Sequence, residues 1–183
     1  MGEVFAELDP PYSTIVADPP WSYTRSGVQG SVADQYSTLT GEGIAALPVA
    51  DLAADDAHLY MWVTVPKLWD SPNPAEIAEA WGFTYKTMLT WVKGEKVGLG
   101  WYYRVDTEHV LFATRGKAPI PGELRQSSVL WSPRGAHSAK PDAFIDRVEQ
   151  VSPGPYVELF CRRPRLGWDS WGYGYEQNRK GAA

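Results

Sequence analysis

The sequence predicts an α/β fold built around a largely parallel sheet. Short runs of β-branched and aromatic residues alternate along the chain with segments of helical spacing, as in βαβ units. The 183 residues correspond to a single domain, 1–183, large enough to bury about 70% of its unfolded surface. Hydrophobic residues make up 44% of the chain and charged residues 21%, which excludes a disordered chain or a coiled coil.

The elements of the first half follow from local patterns. The β-branched run Thr14–Ala17 predicts a buried first strand that ends at Asp18. The polar, glycine-bearing segment 22–38 predicts a long loop, which in a compact domain is usually functional. The next elements predicted are a helix over Thr40–Leu47 capped by Thr40, a strand over His58–Val63, and a helix over Pro74–Trp81 ended by Gly82.

The second half continues the same alternation. Phe83–Val92 predicts a third strand, and Lys93–Arg104 predicts a glycine-rich loop. The remaining elements predicted are strands over His109–Thr114, Ser127–Trp131 and Tyr156–Cys161, and a helix over Pro141–Val151. The tail 162–183, rich in Trp, Gly and Arg, is expected to be a loop. Antiparallel addition of a strand at one edge of the sheet stays open as an alternative.

Charge is unevenly distributed, which bears on possible partners. Residues 1–85 carry 12 acidic and 2 basic side chains, a net charge of −10, whereas residues 86–183 carry 10 acidic and 15 basic side chains, a net charge of +5. The overall charge of −5 argues against strong, non-specific binding of polyanions. The basic second half is either a local phosphate-facing patch or ordinary solvated surface.

Several features are those of a cytoplasmic protein. The one cysteine, Cys161, excludes an internal disulfide and fits a reducing compartment. No secretory signal opens the sequence, and no apolar run is long enough to span a bilayer. Because the three histidines lack metal-ligand spacing, no metal site is expected, and without a GxGxxG motif a dinucleotide cofactor is unsupported.

The tetrapeptide Asp18-Pro19-Pro20-Trp21 is the strongest chemical signal. It stands at the carboxyl end of the first predicted strand, where open α/β sheets bind their ligands. Two consecutive prolines fix the backbone, so Asp18 and the Pro19 carbonyl can both accept hydrogen bonds from one planar amino group, and Trp21 can stack on its ring. Such acceptors free the nitrogen lone pair for attack. A Pro-Pro turn beside a core tryptophan would show the same four residues.

Motifs along nearly the whole chain resemble one family. In order across residues 15–172 they are IVADPPW, YST, HLYMWVT, AWGF, WVK, EHVLFATRG, RGAHSAKPD, VSPGPYVELFCRR and GWDSWG. They resemble the MT-A family of adenine-N6 methyltransferases, whose eukaryotic members include the mRNA methyltransferase. DPPW combined with HSxKPD and ELFxR at this spacing is very specific, and the chain looks like a compact bacterial or phage form.

The resemblance implies S-adenosyl-L-methionine as methyl donor and adenine in DNA or RNA as acceptor. It also implies a Rossmann-like methyltransferase fold in permuted order, with the catalytic DPPW strand before the cofactor-binding strand. The residues that match the family's catalytic motif are Asp18, Pro19, Pro20 and Trp21. Those that match its substrate side are Tyr36, Trp62 and Glu108. Those on its cofactor side are Ser138, Lys140, Phe160, Arg162 and Tyr173, with Lys140 meeting the cofactor carboxylate.

Other positions carry less specific expectations. The family commonly has an asparagine that binds the cofactor ribose where this chain has Tyr173, so Gln177 or Asn178 is the alternative donor. Three tryptophans within predicted strands are expected in the core or the pocket wall: Trp62, Trp91 and Trp131. Two in the tail, Trp168 and Trp171, are expected in a lid or a partner contact. The tail arginines Arg162, Arg163 and Arg165 either clamp a phosphate or lie in a solvated turn.

The predicted function is N6 methylation of adenine in nucleic acid, with DNA favoured over RNA. Loops 22–38 and 93–104 are expected to contact the polymer, and a homodimer or partner subunit is expected because a chain of this charge neutralises few phosphates. Duplex DNA would require base flipping. Two alternatives stay open: a catalytically silent methyltransferase-like subunit that binds nucleic acid or an active partner, and a cytosine amine or protein amide as acceptor.

Overall fold

A seven-stranded sheet organises the molecule. The computed structural model describes residues 3–22, 38–94, 102–135 and 139–172. The strands are β1 (Tyr12–Ala17), β2 (Ala53–Val63), β3 (Thr84–Val92), β4 (Thr107–Arg115), β5 (Val129–Trp131), β6 (Tyr156–Leu159) and β7 (Trp168–Trp171). Their order across the sheet is β5-β3-β4-β2-β1-β6-β7. The six sequence-predicted strands are all present, each within a few residues of its predicted bounds, and β7 is additional.

The one reversed strand among these seven lies inside the sheet. β4 runs antiparallel to both β2 and β3, whereas β1, β6 and β7 pair in parallel with their neighbours, and β5 is parallel to β3. The alternative of antiparallel addition at an edge is therefore not the arrangement found. The β3–β4 connection returns the chain between β2 and β3, and the apolar run Val110–Ala113 suits a strand that is buried on both faces.

The described residues form three α-helices, two of which begin at a side-chain cap. They are α1 (Gly41–Ala45), α2 (Pro74–Ala80) and α3 (Asp142–Val151). The Thr40 hydroxyl accepts a hydrogen bond from the Gly43 N–H, and Asn73 closes a capping box with Glu76. Gly82, with a φ of +83°, allows the chain to leave α2, as the sequence predicts.

Two apolar layers cover the two faces of the sheet. One layer contains Ile15, Leu59 and Met61 of the central strands with Ile44 of α1 and Trp81 beyond α2. The other layer places α3 against the opposite face, where Val16, Tyr60, Trp62, Phe144 and Val148 pack together. Successive residues of β1 and β2 alternate between the layers, as the pleat requires. Within the described parts of the chain, no helix is long and apolar enough to cross a membrane.

The tail forms an edge strand instead of the expected loop. In β7, Trp168 is 7% exposed and stacks on Tyr156 at 4.7 Å between ring centres, while its Nε1 donates to Glu149 at 2.7 Å. Trp171 is half-buried and makes edge contacts with Phe5 and Phe160. The expectation of a lid or partner contact is therefore wrong for Trp168, because four residues suffice for a strand when β6 offers a free edge.

Trp131 also differs from its predicted position. Trp62 and Trp91 are buried as expected, but 74% of Trp131 is exposed. Leu130 lies opposite Trp91 on the face covered by α3, so alternation along β5 turns Trp131 to the other face of the sheet. A strand of three residues at the sheet edge therefore leaves this large ring in contact with solvent.

Candidate active site

A cleft of about 500 Å³ lies at the carboxyl ends of β1 and β6. These two strands are parallel neighbours, so the residues that follow them meet at one edge of the sheet. Asp18 follows β1, and Phe160 and Arg162 follow β6. The lining also includes Trp62, Lys140, Phe144, Glu158 and Arg165. A volume of this size suits a ligand with the dimensions of a nucleoside derivative.

The DPPW segment is held rigidly at the mouth of β1. The Asp18 N–H donates to the Leu159 carbonyl at 3.3 Å, and the Trp21 N–H donates to the Pro19 carbonyl at 2.9 Å. Trp21 is buried, and its Nε1 donates to the Trp62 carbonyl at 3.1 Å. One lone pair of the Pro19 carbonyl is thus already used, which leaves a second for a ligand. Trp21 fixes the segment from within the core.

A continuous ion-pair chain of five side chains crosses the site. It consists of Arg162, Asp18, Lys140, Glu108 and Lys93, and cations and carboxylates alternate along it. Arg162 NH2 lies 3.1 Å from Asp18 Oδ2, and Lys140 Nζ lies 3.0 Å from Asp18 Oδ1 and 3.2 Å from Glu108 Oε2. Lys93 Nζ lies 2.5 Å from Glu108 Oε1. Four of these residues are predicted for the site from the sequence, and the structure adds Lys93 and the contacts that join all five.

Burial and neighbouring charges shift the pKa values of Glu108 and Lys140 in opposite directions. Burial acts to raise the pKa of Glu108, but the ammonium groups of Lys140 and Lys93 outweigh it, so the net pKa is lowered. Burial likewise acts to lower the pKa of Lys140, and the carboxylates of Asp18 and Glu108 reverse the direction, so its pKa is raised. Both groups therefore stay charged at neutral pH, which keeps the chain of ion pairs intact.

An aromatic wall lies behind Lys140. Its Nζ is 4.9 Å from the centre of the Trp62 ring, which makes edge contacts with Phe144 at 4.8 Å and Trp91 at 6.0 Å. The Trp91 Nε1 donates to the Ser132 carbonyl, so this wall also anchors the segment after β5. The prediction of Trp62 as core or pocket wall is confirmed, because its ring serves as both.

Lys93 points into the site. The sequence groups it with loop 93–104 as a polymer contact, but its side chain is only 12% exposed and pairs with Glu108. For Lys93 that expectation was wrong, because the sequence cannot show that the end of β3 lies beside Glu108 at the start of β4. Tyr102, Tyr103 and Arg104 of the same loop are exposed, in keeping with the prediction.

The turn after β6 approaches β7 closely. Phe160 has a φ of +63°, an uncommon conformation for a non-glycine residue, and it redirects the chain at the cleft wall. A Cβ on Gly172 would lie 2.7 Å from the Cys161 nitrogen, so only glycine fits there. Arg165 pairs with Asp142 at 2.9 Å, while its buried Nε has no hydrogen-bond partner.

Glu158 is a site residue that sequence reasoning missed. It lies in β6, lines the cleft, and burial raises the pKa of its carboxyl group. The signal was present: one acidic residue interrupts the otherwise apolar run of a buried parallel strand, YVELF. Such a residue is expected to face a ligand or a partner charge, because an unpaired buried carboxylate is costly.

Three predicted site residues lie outside the described residues: Tyr36, Ser138 and Tyr173. The same holds for most of loop 22–38 and for residues 95–101. The two ends of the first loop are described. Ser22 N–H donates to the Leu39 carbonyl at 3.0 Å, and Leu39 N–H donates to the Pro20 carbonyl at 2.9 Å, so the loop begins and ends beside the DPPW segment. Among described residues, no group of three His, Cys, Asp or Glu side chains is placed to hold a metal ion.

Comparisons with known proteins agree on one family. The sequence model of the family MT-A70 matches residues 12–174. The chain is 35% identical to the type II methyltransferase M.MunI of Mycoplasma sp, an alignment covering 98% of this chain and 84% of that protein. It is 32% identical to the N6-methyladenosine RNA methyltransferase MTA1 of Cryphonectria parasitica, covering 92% of this chain but only 53% of that protein. It is 29% identical to the mouse N(6)-adenine-specific methyltransferase METTL4, covering 88% and 37% respectively.

Proposed function

The chain belongs to the MT-A70 family and is an S-adenosylmethionine-dependent adenine-N6 methyltransferase, and we propose that its acceptor is adenine in DNA. The observation that carries the acceptor proposal is the 35% identity to a type II methyltransferase over 98% of this chain, since type II methyltransferases act on DNA. RNA is the competing acceptor, because another relative, MTA1, is an RNA methyltransferase. The alignment covers only 53% of that protein.

The residues of the cleft fit the cofactor. S-adenosylmethionine carries a carboxylate, an ammonium, a sulfonium and an adenosine group, and the cleft offers cations, carboxylates and an aromatic ring. Lys140 and Arg162 suit the carboxylate, and Glu158 suits a cationic group or a hydroxyl. The buried, unpartnered Nε of Arg165 is a donor without an acceptor, as expected at a wall that receives a polar ligand. About 500 Å³ is sufficient volume.

The order of the strands supports a permuted methyltransferase fold. β1, which precedes the DPPW segment, comes first in the sequence, and β6, which precedes Phe160 and Arg162, comes near its end. The two strands are nevertheless neighbours in the sheet. We assign β6 to the cofactor side and β1 to the acceptor side, so that methyl donor and acceptor meet where the two strand ends adjoin.

Asp18 is the proposed acceptor of hydrogen bonds from the adenine amino group. When bound, S-adenosylmethionine supplies an electrophilic methyl group whose bonding electrons remain with its sulfur. Asp18 and the second lone pair of the Pro19 carbonyl polarise the amino group, and Asp18 can take the proton that the methylated nitrogen releases. Each Asp18 oxygen is paired with one cation here and keeps a further lone pair that can accept from the amino group.

Glu108 and the exposed aromatic residues are assigned to the acceptor and its polymer. Glu108 is partly exposed and faces Lys140, so it can line the pocket for the base. Trp131, Tyr102 and Tyr103 are exposed near the ends of β5 and of the β3–β4 connection, with Arg104 and Arg134 among them. Exposed rings next to basic side chains favour stacking with unpaired bases, which suits a flipped or single-stranded adenine. A second subunit would add the basic surface that one chain lacks.

The test is direct analysis of methylated nucleosides. Wild-type protein is incubated with methyl-labelled S-adenosylmethionine and separate pools of duplex DNA, single-stranded DNA and RNA, and the digested nucleosides are identified by mass spectrometry. We expect labelled N6-methyladenine in DNA. Label confined to RNA, or found on cytosine, would contradict the acceptor proposal. Binding of S-adenosylhomocysteine without transfer to any pool would favour the alternative of a catalytically silent subunit.

A further inference from the structure

Lys93 follows β3 immediately and is fixed by three different groups. Its Nζ contacts Glu108 Oε1 at 2.5 Å and lies 5.4 Å from the centre of the Trp91 ring. Its backbone N–H donates to the Asp106 carbonyl at 2.8 Å, which holds the start of the β3–β4 connection. Only 12% of the Lys93 side chain is exposed. Because these contacts already restrict its rotamers, the side chain pays little additional conformational entropy to stay paired with Glu108.

Each carboxylate of the ion-pair chain has one cation of its own and shares a second. Among the described residues, Arg162 pairs only with Asp18 and Lys93 only with Glu108, whereas Lys140 lies between the two carboxylates at 3.0 and 3.2 Å. The shared lysine is also the side chain assigned above to the cofactor carboxylate. If Lys140 turns to that carboxylate, Asp18 retains Arg162 and Glu108 retains Lys93. Because each carboxylate has a second cation, both can stay paired when Lys140 binds the cofactor.

We propose that Lys93 is a positioning residue that keeps Glu108 ionised and fixed in the acceptor pocket when Lys140 turns to the cofactor. The inference rests on the proposed function, because it assumes a carboxylate ligand for Lys140. It names a role for a side chain that neither the DPPW motif nor the cofactor cleft includes. Lys93 acts through Glu108 and is not one of the residues that line the cleft.

The surroundings of Glu108 explain why a second cation is needed. The charged groups that face it are Lys140 and Lys93, with Asp18 beyond Lys140, while His109 lies next to it on the other face of the sheet, bonded to Thr90. Trp91 lies opposite Glu108 on the neighbouring strand, and the two lysines that pair with Glu108 lie over the Trp91 and Trp62 rings. With Lys140 displaced and no Lys93, burial would raise the pKa of Glu108 with no cation to oppose it, which favours the protonated carboxyl group. A protonated Glu108 would donate a hydrogen bond where the ionised form accepts one.

The first experiment needs no methyl transfer. Carbon-13-detected NMR follows the titration of the Glu108 carboxyl, assigned by its loss in Glu108→Gln, with and without S-adenosylhomocysteine. In the wild type we expect the Glu108 pKa to stay below its ordinary value in both conditions. In Lys93→Met it should be higher, and it should rise further when S-adenosylhomocysteine is added. Lys93→Gln is the second variant if Lys93→Met fails to fold, and Lys86→Met, exposed on the same strand, is the control.

Two outcomes of that titration overturn the proposal. A Glu108 pKa that is equal in wild type and Lys93→Met shows that Lys93 does not hold the carboxylate. A pKa in Lys93→Met that does not respond to saturating S-adenosylhomocysteine shows that Lys140 stays on Glu108, and then the second cation is redundant. Failure of S-adenosylhomocysteine to bind the wild type at any concentration would instead count against the proposed function, whereas the comparison of wild type with Lys93→Met in its absence still tests Lys93.

Kinetics give an independent test. Lys93→Met should raise the KM for the nucleic-acid acceptor about tenfold, the fold-change that matches loss of one charged hydrogen bond, and should move the acid limb of the rate profile to higher pH. Cofactor affinity should stay within twofold, and Lys93→Arg should restore both properties. An unchanged KM and pH profile in an active enzyme would overturn the role of Lys93. A wild type that methylates no adenine would instead count against the proposed function.

Discussion

Asp18 lies between two cations, and this position determines what its replacement does. Asp18→Asn keeps the shape of the side chain but removes the charge that Lys140 and Arg162 share. We expect methyl transfer to fall at least a hundredfold, on the order of the 2.7–4 kcal/mol lost with an oxyanion-hole donor. Affinity for S-adenosylhomocysteine, measured by calorimetry, should stay within a few fold. Asp146→Asn, exposed on α3, is the control, and near wild-type turnover in Asp18→Asn would contradict the assignment.

Lys140 couples the cofactor side of the site to the acceptor side. Lys140→Met should weaken S-adenosylhomocysteine binding by about 1.5–3 kcal/mol, the range for hydrogen bonds to charged groups. It should also raise the pKa of Glu108, because one of the two cations that lower it is removed. Calorimetry and the NMR titration measure the two effects, with Lys117→Met as an exposed control. Equal cofactor affinity in wild type and variant would place Lys140 outside the cofactor site.

Two tryptophans allow the contribution of the edge strands to be compared. Trp168 in β7 is buried against Tyr156 and bonded to Glu149, whereas Trp131 in β5 is 74% exposed. Trp168→Ala should lower the free energy of unfolding by about 3–5 kcal/mol, and Trp131→Ala by less than about 1 kcal/mol. Urea unfolding measures both. Similar losses in the two variants would mean that β7 is not part of the cooperative core.

The junction of β2 with α3 is expected to make stability depend on pH. His58 donates from Nε2 to the Ala118 carbonyl at 2.8 Å and accepts at Nδ1 from the Ser152 hydroxyl at 2.7 Å, which in turn accepts from the Tyr60 hydroxyl at 2.8 Å. Burial lowers the pKa of His58 from its ordinary value near 6.5, so the neutral imidazole is the folded form. This arrangement connects a central strand to the end of the helix that covers it.

The sign of the pH effect follows from proton uptake. Below about pH 6.5 the unfolded chain binds a proton at His58 that the folded chain binds only at lower pH, so the free energy of unfolding falls as pH decreases through this range. The pKa of His109 is also lowered by burial and contributes with the same sign. Urea unfolding at pH 7.5, 6.0 and 5.0 should show a smaller pH dependence in His58→Gln than in the wild type. Identical dependence in the two proteins would show that His58 is not responsible.

At the scale of the whole molecule, charge limits how the polymer can bind. The net charge is −5. Lys93, one of the bases in the loop expected to bind the polymer, forms an ion pair with Glu108 inside the site. Arg104, in the β3–β4 connection, and Arg134, three residues after Trp131, are exposed bases. We expect weak binding of a single-stranded oligonucleotide and a shallow salt dependence. Replacing both arginines with serine should reduce the slope of log K against log salt by about 1.4, or 0.7 per phosphate contact.

Fluorescence anisotropy at several salt concentrations measures this slope. Arg125→Ser, an exposed replacement elsewhere on the surface, is the control and should leave the slope unchanged. If the double variant binds with the same affinity and slope as the wild type, the polymer contacts another surface or is held by a second subunit. Trp131→Ala measured in parallel separates loss of stacking from loss of charge, because stacking lowers affinity without changing the salt slope.

The strand and helix positions that depend on local signals could be predicted from the amino-acid sequence. Alternating apolar residues, Thr40 as a cap, Pro74 in a first helical turn and Gly82 after α2 all act within a few residues, and each was found as predicted. The DPPW segment, HSxKPD and ELFxR also identified the family from the chain alone, because motif spacing survives without knowledge of the fold. Asp18, Lys140 and Arg162 could therefore be named in advance.

Contacts between residues that are distant in the sequence depend on the folded arrangement of the strands. That β4 lies inside the sheet, that Trp131 is exposed while Trp168 is buried, and that Lys93 pairs with Glu108 all depend on strand order. Strand order is set by long-range pairing, which leaves no periodic signal in the sequence around any one residue. The ion-pair chain joins residues that are far apart in the sequence, from Asp18 to Arg162. Its existence depends on parallel packing that brings the ends of β1 and β6 together.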